Sequence, residues 1–157
     1  MEIRPSKESD IPQIFLLESR CFSDPWSQKI LRSTLREEDC FFLTAEENGR
    51  ICGYLNTTHI LDELSIHRVA VLPEYRRKGV GTAMLTRMME FCQDKGLKQI
   101  FLEVRQSNLN AQRLYSRFGF EQVGERPHFY QNPDETGLVM RAWVPSPADT
   151  AAEKEEP

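Results

Sequence analysis

The stretch Val69-Ala-Val-Leu-Pro-Glu-Tyr-Arg-Arg-Lys-Gly-Val-Gly-Thr82 decides how this chain is read. It opens as a short apolar run of strand type, turns at Pro73, passes through the basic triplet Arg76, Arg77 and Lys78, and enters a helical pattern at Gly79, Val80 and Gly81. The start of a helix exposes unpaired N–H groups and the positive end of its dipole. Gly79 and Gly81 carry no Cβ, so the backbone can come close to a ligand, and the cations add formal charge beside the amides. Such a unit is an anion cradle suited to phosphate. It lacks the Walker spacing, and Met84 stands where the dinucleotide-binding pattern needs its third glycine.

Working outward, the helix runs from about Gly79 to Lys95, with Val80, Met84, Leu85, Met88, Phe91 and Cys92 on one face and Gly96 at its end. That face is core. Upstream, the run from Glu63 to Val71 reads as the third strand of a meander. Its first two strands, Cys40 to Ala45 and Ile51 to Thr57, are joined through Asn48-Gly49, a pair that favours a tight hairpin turn. Before them stand a short strand at Ile3, a helix capped by Asp10 with Ile11, Ile14, Phe15 and Leu17 as its apolar face, and a second helix. This second helix follows Asp24-Pro25-Trp26, is capped by Ser27 and carries Ile30, Leu31 and Leu35. Downstream lie a buried strand from Gln99 to Val104, a helix from Asn108 to Phe118 closed by Gly119, and two strands, Glu121 to Arg126 and Leu138 to Trp143.

The expected class is α/β, with a mixed central sheet of about six to seven strands flanked by about four helices. One domain is expected over residues 1–144, because 157 residues suit a single core. Residues 145–157, small and acidic after Pro145, are expected to form a flexible tail. That tail carries most of the net charge of -4, so no basic excess points to nucleic acid. No apolar run is long enough for a bilayer and the first residues lack a signal-peptide stretch, from which a cytoplasmic location and no membrane partner are expected. The four cysteines, Cys21, Cys40, Cys52 and Cys92, form no C-x-x-C pair, and His59, His67 and His128 show no ligand spacing, so no metal is expected.

At this point the sequence resembles the GNAT superfamily of acetyltransferases. Its coenzyme A motif, a Gln or Arg, two residues, Gly, one residue, then Gly or Ala, is matched by Arg76 to Gly81. The resemblance implies acetyl-CoA as co-substrate, with its pyrophosphate on the amides of Arg77, Lys78, Gly79, Val80, Gly81 and Thr82. It also implies that the pantetheine arm pairs with Val69, Ala70 and Val71 like an added strand. The segment Ser107-Asn108, followed by Ala111, Leu114, Tyr115, Phe118 and Gly119-Phe120, matches the second hallmark, in which the asparagine contacts coenzyme A.

Within the superfamily the chain looks most like the RimI type, which acetylates the N-terminal alanine of a small-subunit ribosomal protein. Phe22 to Ser27, Leu102-Glu103-Val104-Arg105 and Phe129-Tyr130 carry this likeness. Arg68, Phe129 and Gln131 depart from it, standing where that type has asparagine, tyrosine and proline. Trp26, Arg68, Phe129 and Tyr130 are therefore the candidate acceptor contacts.

The chemistry needs a base and an acid. An attacking amine must be neutral, and at pH 7 roughly 14% of an α-amine but about 0.04% of a lysine is neutral. Glu103, at the end of the central strand, is the expected base, directly or through water, as its family counterpart is. Tyr115, roughly two helical turns beyond Asn108, offers a phenol to the departing thiolate. No cysteine or serine has the setting of a nucleophile elbow, so direct attack in a ternary complex is expected. Three functions fit: an acetyltransferase acting on a protein N-terminus, one acting on a small amine or a lysine side chain, and a coenzyme-binding regulatory module without turnover. The third has no use for an acid and a base.

Overall fold

In the computed structural model, which describes residues 1–146, seven strands form one sheet in the order β1-β2-β3-β4-β5-β7-β6. The strands are β1 (Glu2–Pro5), β2 (Cys40–Glu47), β3 (Arg50–Ile60), β4 (Glu63–Val71), β5 (Gln99–Arg105), β6 (Glu121–Tyr130) and β7 (Glu135–Trp143). Four α-helices complete the described residues: α1 (Ile11–Cys21), α2 (Gln28–Leu35), α3 (Val80–Lys95) and α4 (Leu109–Arg117). The acidic tail lies, from residue 147 on, outside the described residues.

Helices cover both faces of the sheet. On one, Val80, Met84, Leu85, Met88 and Cys92 of α3 are buried with Tyr115 of α4. On the other, Ile11, Ile14 and Leu17 of α1 pack with Leu31 of α2 on Tyr54 and Ala70. Local signals act as expected where they are self-contained. The Ser27 hydroxyl accepts from Ile30 N–H at 3.1 Å, Asn48 and Gly49 both take positive φ in the β2–β3 hairpin, and Gly96 ends α3 at φ 70°.

Three local expectations are corrected. Asp10 does not cap α1: its carboxylate accepts from Lys7 N–H at 2.7 Å and pairs with Arg4 at 2.7 Å, closing the short 3-10 turn Glu8–Asp10. Ile30 is 51% exposed, so α2 is held by Leu31 alone among fully buried side chains. The strand expected to stop at Arg126 continues to Tyr130, because β7 begins at Glu135 and pairs with it there.

What positions the site is a parting of strands. β4 pairs with β5 in parallel over only Glu63↔Gln99 to Ile66↔Leu102, and beyond Ile66 the two separate. On its other side β4 stays paired with β3 up to Val71↔Gly53, with a register shift between Asn56 and Thr57.

Candidate active site

A groove of about 1270 Å³ opens where β4 and β5 part, between the end of β4, the turn into α3 and the face of α4. Its floor is β4. Leu72 N–H donates to Cys52 O, and antiparallel alternation then directs the N–H and C=O of Val69 and Val71 away from β3, into the gap. Arg76 Nε occupies one of these groups, donating to Val71 O at 3.1 Å.

One end of the groove is the start of α3. Arg77 and Gly79 both take left-handed backbone, at φ 64° and 82°, which brings the chain round so that the first turn of α3 faces the groove. No side chain caps this helix, leaving the first-turn N–H groups of Val80, Gly81 and Thr82 free for a ligand. The two glycines serve different ends. An added Cβ on Gly79 would meet nothing within 4 Å, so its need is conformational; one on Gly81 would lie 3.0 Å from Leu114 Cδ2, so its need is the close approach of α4.

The opposite wall is α4. Asn108 Oδ1 caps that helix, accepting from Ala111 N–H at 3.2 Å, which leaves its amide NH₂ as the group it can offer to a ligand. Arg113 and Arg117, one helical turn apart, also line the groove and were not singled out from sequence. Their i, i+4 spacing beside Leu114 was the available signal. Every charged side chain on the lining is an arginine, Arg76 and Arg77 facing Arg113 and Arg117. Lys78 falls outside: its ammonium lies 5.4 Å from the Tyr75 ring centroid.

Tyr115 closes the deep end. It is 7% exposed, its hydroxyl has no hydrogen-bond partner among the described residues, and it lines the groove. Burial, and then the neighbouring Tyr130, push its phenol well above the usual tyrosine range. Burial followed by the Glu103 carboxylate pushes Tyr130 up to about 12. Tyr130 therefore stands within electrostatic reach of both Glu103 and Tyr115. Glu103, 26% exposed, carries an ion pair with Arg126 at 3.1 Å.

Beyond Glu103 lies a second surface, built from the α1–α2 loop and the β6–β7 hairpin. Arg105 binds it together. Its guanidinium donates to Gln131 O at 2.9 Å, Pro133 O at 3.0 Å and Ser23 Oγ at 3.3 Å, and lies 4.5 Å from the Tyr130 ring centroid. Phe129, 42% exposed, meets Tyr130 edge-on at 5.0 Å and covers Gly137, where an added Cβ would come within 3.1 Å of its ring. Trp26 is half-buried, its ring 5.7 Å from His67. Arg68, expected as an acceptor contact, is 11% exposed, with Nε on Glu18 at 3.3 Å and Nη2 on Asp24 O at 2.7 Å. Arg105, Ser23, Glu135 and Glu18 were not foreseen as site residues, because their roles come from partners distant in sequence.

This geometry meets an independent observation: the family model described as "Acetyltransferase (GNAT) family" matches residues 11–120. The chain belongs to the GNAT acetyltransferase family. Among its GNAT relatives, the ribosomal protein bS18-alanine N-acetyltransferase of Escherichia coli K12 is 32% identical over 134 residues, covering 84% of this chain and 90% of that one. A Bacillus subtilis strain 168 protein, provisionally named as the same enzyme, is 32% identical over 143 residues, covering 90% and 93%. The crystal structure of the ribosomal-protein-S18-alanine N-acetyltransferase from Escherichia coli superposes with a TM-score of 0.84 at 29% identity, covering 91% of this chain and 93% of that one. The GNAT fold here has no group of three or more metal-ligating side chains among its described residues, and no helix among them is long and apolar enough to cross a membrane.

Proposed function

We propose that this GNAT protein transfers acetyl from acetyl-CoA to the N-terminal amine of a protein, an alanine-starting ribosomal protein being the preferred acceptor. The observation that carries it is the groove itself: all its charged lining is arginine, it runs from an uncapped helix start to a free phenol, and Glu103 stands just beyond. A polyanionic coenzyme with a long amide-bearing arm matches both the charge and the open edge at Val69 and Val71. The names of the relatives above, at 32% identity over most of both chains, supply the acceptor class.

The residues then divide the work. Arg76, Arg77, Arg113 and Arg117 with the first amides of α3 hold phosphate, and Val69 and Val71 hold the pantetheine amides. Glu103, directly or through water, takes one proton from the bound ammonium, and the neutral amine so formed attacks the thioester carbonyl carbon. A C–N bond forms, the C–S bond breaks, and the second N–H proton leaves to solvent. Tyr115 donates a hydrogen bond to the sulfur as it becomes thiolate, and a proton from solvent completes the free thiol. The acceptor enters between the α1–α2 loop and the β6–β7 hairpin, past Trp26, Phe129 and Tyr130. A ribosomal-protein acceptor and acetyl-CoA meet in the cytoplasm, and the reaction is assigned there.

The test compares kcat/KM for an alanine-starting peptide with that for the same peptide blocked at its N-terminus and bearing a free lysine, with thiol release as the readout. The free α-amine is expected to win clearly. Equal values, or faster reaction at lysine or at a polyamine, would leave a general amine acetyltransferase in its stead.

A further inference from the structure

Behind the acceptor side lies a polar cluster whose own polar side chains do not line the coenzyme groove, although Phe22, over which Arg68 lies, does. Glu18, on the inner face of α1, is fully buried, an unfavourable place for a carboxylate. Three donors hold it: Trp26 N–H at 2.7 Å, the Tyr54 hydroxyl at 2.5 Å and Arg68 Nε at 3.3 Å. Arg68 then reaches outward, donating from Nη2 to Asp24 O at 2.7 Å while its guanidinium lies 4.2 Å from the Phe22 ring centroid. One layer deeper, Asn56 is also fully buried, and its Oδ1 has no hydrogen-bond partner among the described residues.

A cluster with a buried ion pair and an orphaned amide oxygen is poorly built for stability alone. Its effect on geometry is plain. Phe22, Asp24 and Trp26 all belong to the α1–α2 loop, and Arg105 grips Ser23 of the same loop from the opposite side. A segment without regular structure, which would otherwise open easily, is tied down at successive positions.

We propose that Glu18 and Arg68 are positioning residues for the acceptor: they fix the Phe22–Trp26 segment as one wall of the acceptor slot and so set affinity for the acceptor amine without touching the reacting atoms. This rests on the reading that the acceptor enters between that loop and the β6–β7 hairpin. Arg68 is uniquely shaped for the task, since only a guanidinium can present Nε to Glu18 and Nη2 to the loop at once.

The experiment measures steady-state kinetics of the full-length protein with acetyl-CoA and an alanine-starting peptide for Arg68→Lys, Arg68→Gln and the double variant Glu18→Gln with Arg68→Gln. Acceptor KM is expected to rise about tenfold in Arg68→Gln and in the double variant, with acetyl-CoA KM and saturated kcat changed by less than about threefold. Arg68→Lys keeps the charge but loses the fork and should fall between. Should Arg68→Gln fail to fold because Glu18 is left buried and unpaired, the charge-balanced double variant carries the same measurement. Acceptor KM unchanged in the double variant, or a loss confined to kcat, overturns the inference. The wild-type protein separates this from the parent reading: if it prefers another amine, the N-terminal assignment fails, and the variants are then measured against that amine.

Discussion

Glu135 accepts a hydrogen bond from Ser107 N–H at 2.6 Å with one carboxylate oxygen and faces the Arg105 guanidinium at 3.3 Å with the other. The first bond holds the turn that leads to Asn108 and the α4 wall of the groove. The second holds the guanidinium that joins the β6–β7 hairpin to the α1–α2 loop. One carboxylate thus links the α4 wall of the groove to the surface proposed for the acceptor.

From this follows a pH dependence. The bond from Ser107, with Arg105 behind it, holds the Glu135 carboxyl below the usual glutamate range. A group whose pKa is depressed by folding contributes stability above its unfolded pKa, about 4.3, and loses it as pH falls through the lower folded value. Glu135→Ala should therefore lower Tm at pH 7, and the gap from wild type should narrow steadily below about pH 4. A gap that stays constant down to about pH 3 would mean the carboxylate charge is not what matters.

The two cradle glycines should respond differently to the same added methyl. Gly79→Ala must hold alanine at φ 82°, a cost of about 1–2 kcal/mol read by urea unfolding. Gly81→Ala meets only Leu114 Cδ2, the far end of a flexible side chain, and should cost less. Gly81→Trp forces α4 away from α3 and should abolish coenzyme A binding in calorimetry while circular dichroism stays unchanged. Equal destabilisation by the two alanines would contradict this division of roles.

How far the sequence could be read depended on how far apart the partners lie. Ser27, Asn48-Gly49 and Gly96 act within a few residues, and each does what its neighbours imply. Asp10 is an exception among near neighbours: it has the residue type of a cap for α1, yet its carboxylate turns back to Lys7 N–H and Arg4 just upstream and closes the 3-10 turn instead. The far end of β6 was missed because Pro127 breaks the strand pattern, while pairing of Tyr130 with Glu135 across the sheet restores it. Arg68 is the clearest case: the resemblance offers it as an acceptor contact, and nothing in the neighbouring sequence shows that Glu18, fifty residues earlier, pairs with it. The proposed coenzyme cradle is one continuous segment and can be quoted whole from the sequence; the proposed acceptor slot draws its walls from the α1–α2 loop, the end of β5 and the β6–β7 hairpin, which only the fold brings together.

The last prediction separates the proposed base from the proposed hydrogen-bond donor. Burial, with Tyr130 second, raises the Tyr115 phenol above its ordinary value of about 10, whereas a thiol sits near 8.5. Complete proton transfer from this phenol to a coenzyme thiolate would run uphill by more than about 2 kcal/mol, so Tyr115 acts by donating a hydrogen bond as the C–S bond breaks. Since a raised pKa keeps the phenol protonated, wild-type activity should show no alkaline limb from Tyr115 up to about pH 10. Tyr115→Phe should lower kcat about 10²-fold at every pH, and Glu103→Gln by about 10²-fold to 10⁴-fold at pH 7, both with nearly unchanged coenzyme affinity. The two then diverge as pH rises. Between pH 7 and 9 the neutral fraction of an α-amine grows from roughly 14% to about 94%, so the variant without its base should recover by up to about sevenfold relative to wild type. Tyr115→Phe gains nothing beyond what the wild type gains, because its defect lies at the sulfur and not at the amine. Parallel pH profiles for the two variants, or wild-type turnover in Glu103→Gln at pH 7, would remove Glu103 from the role of base.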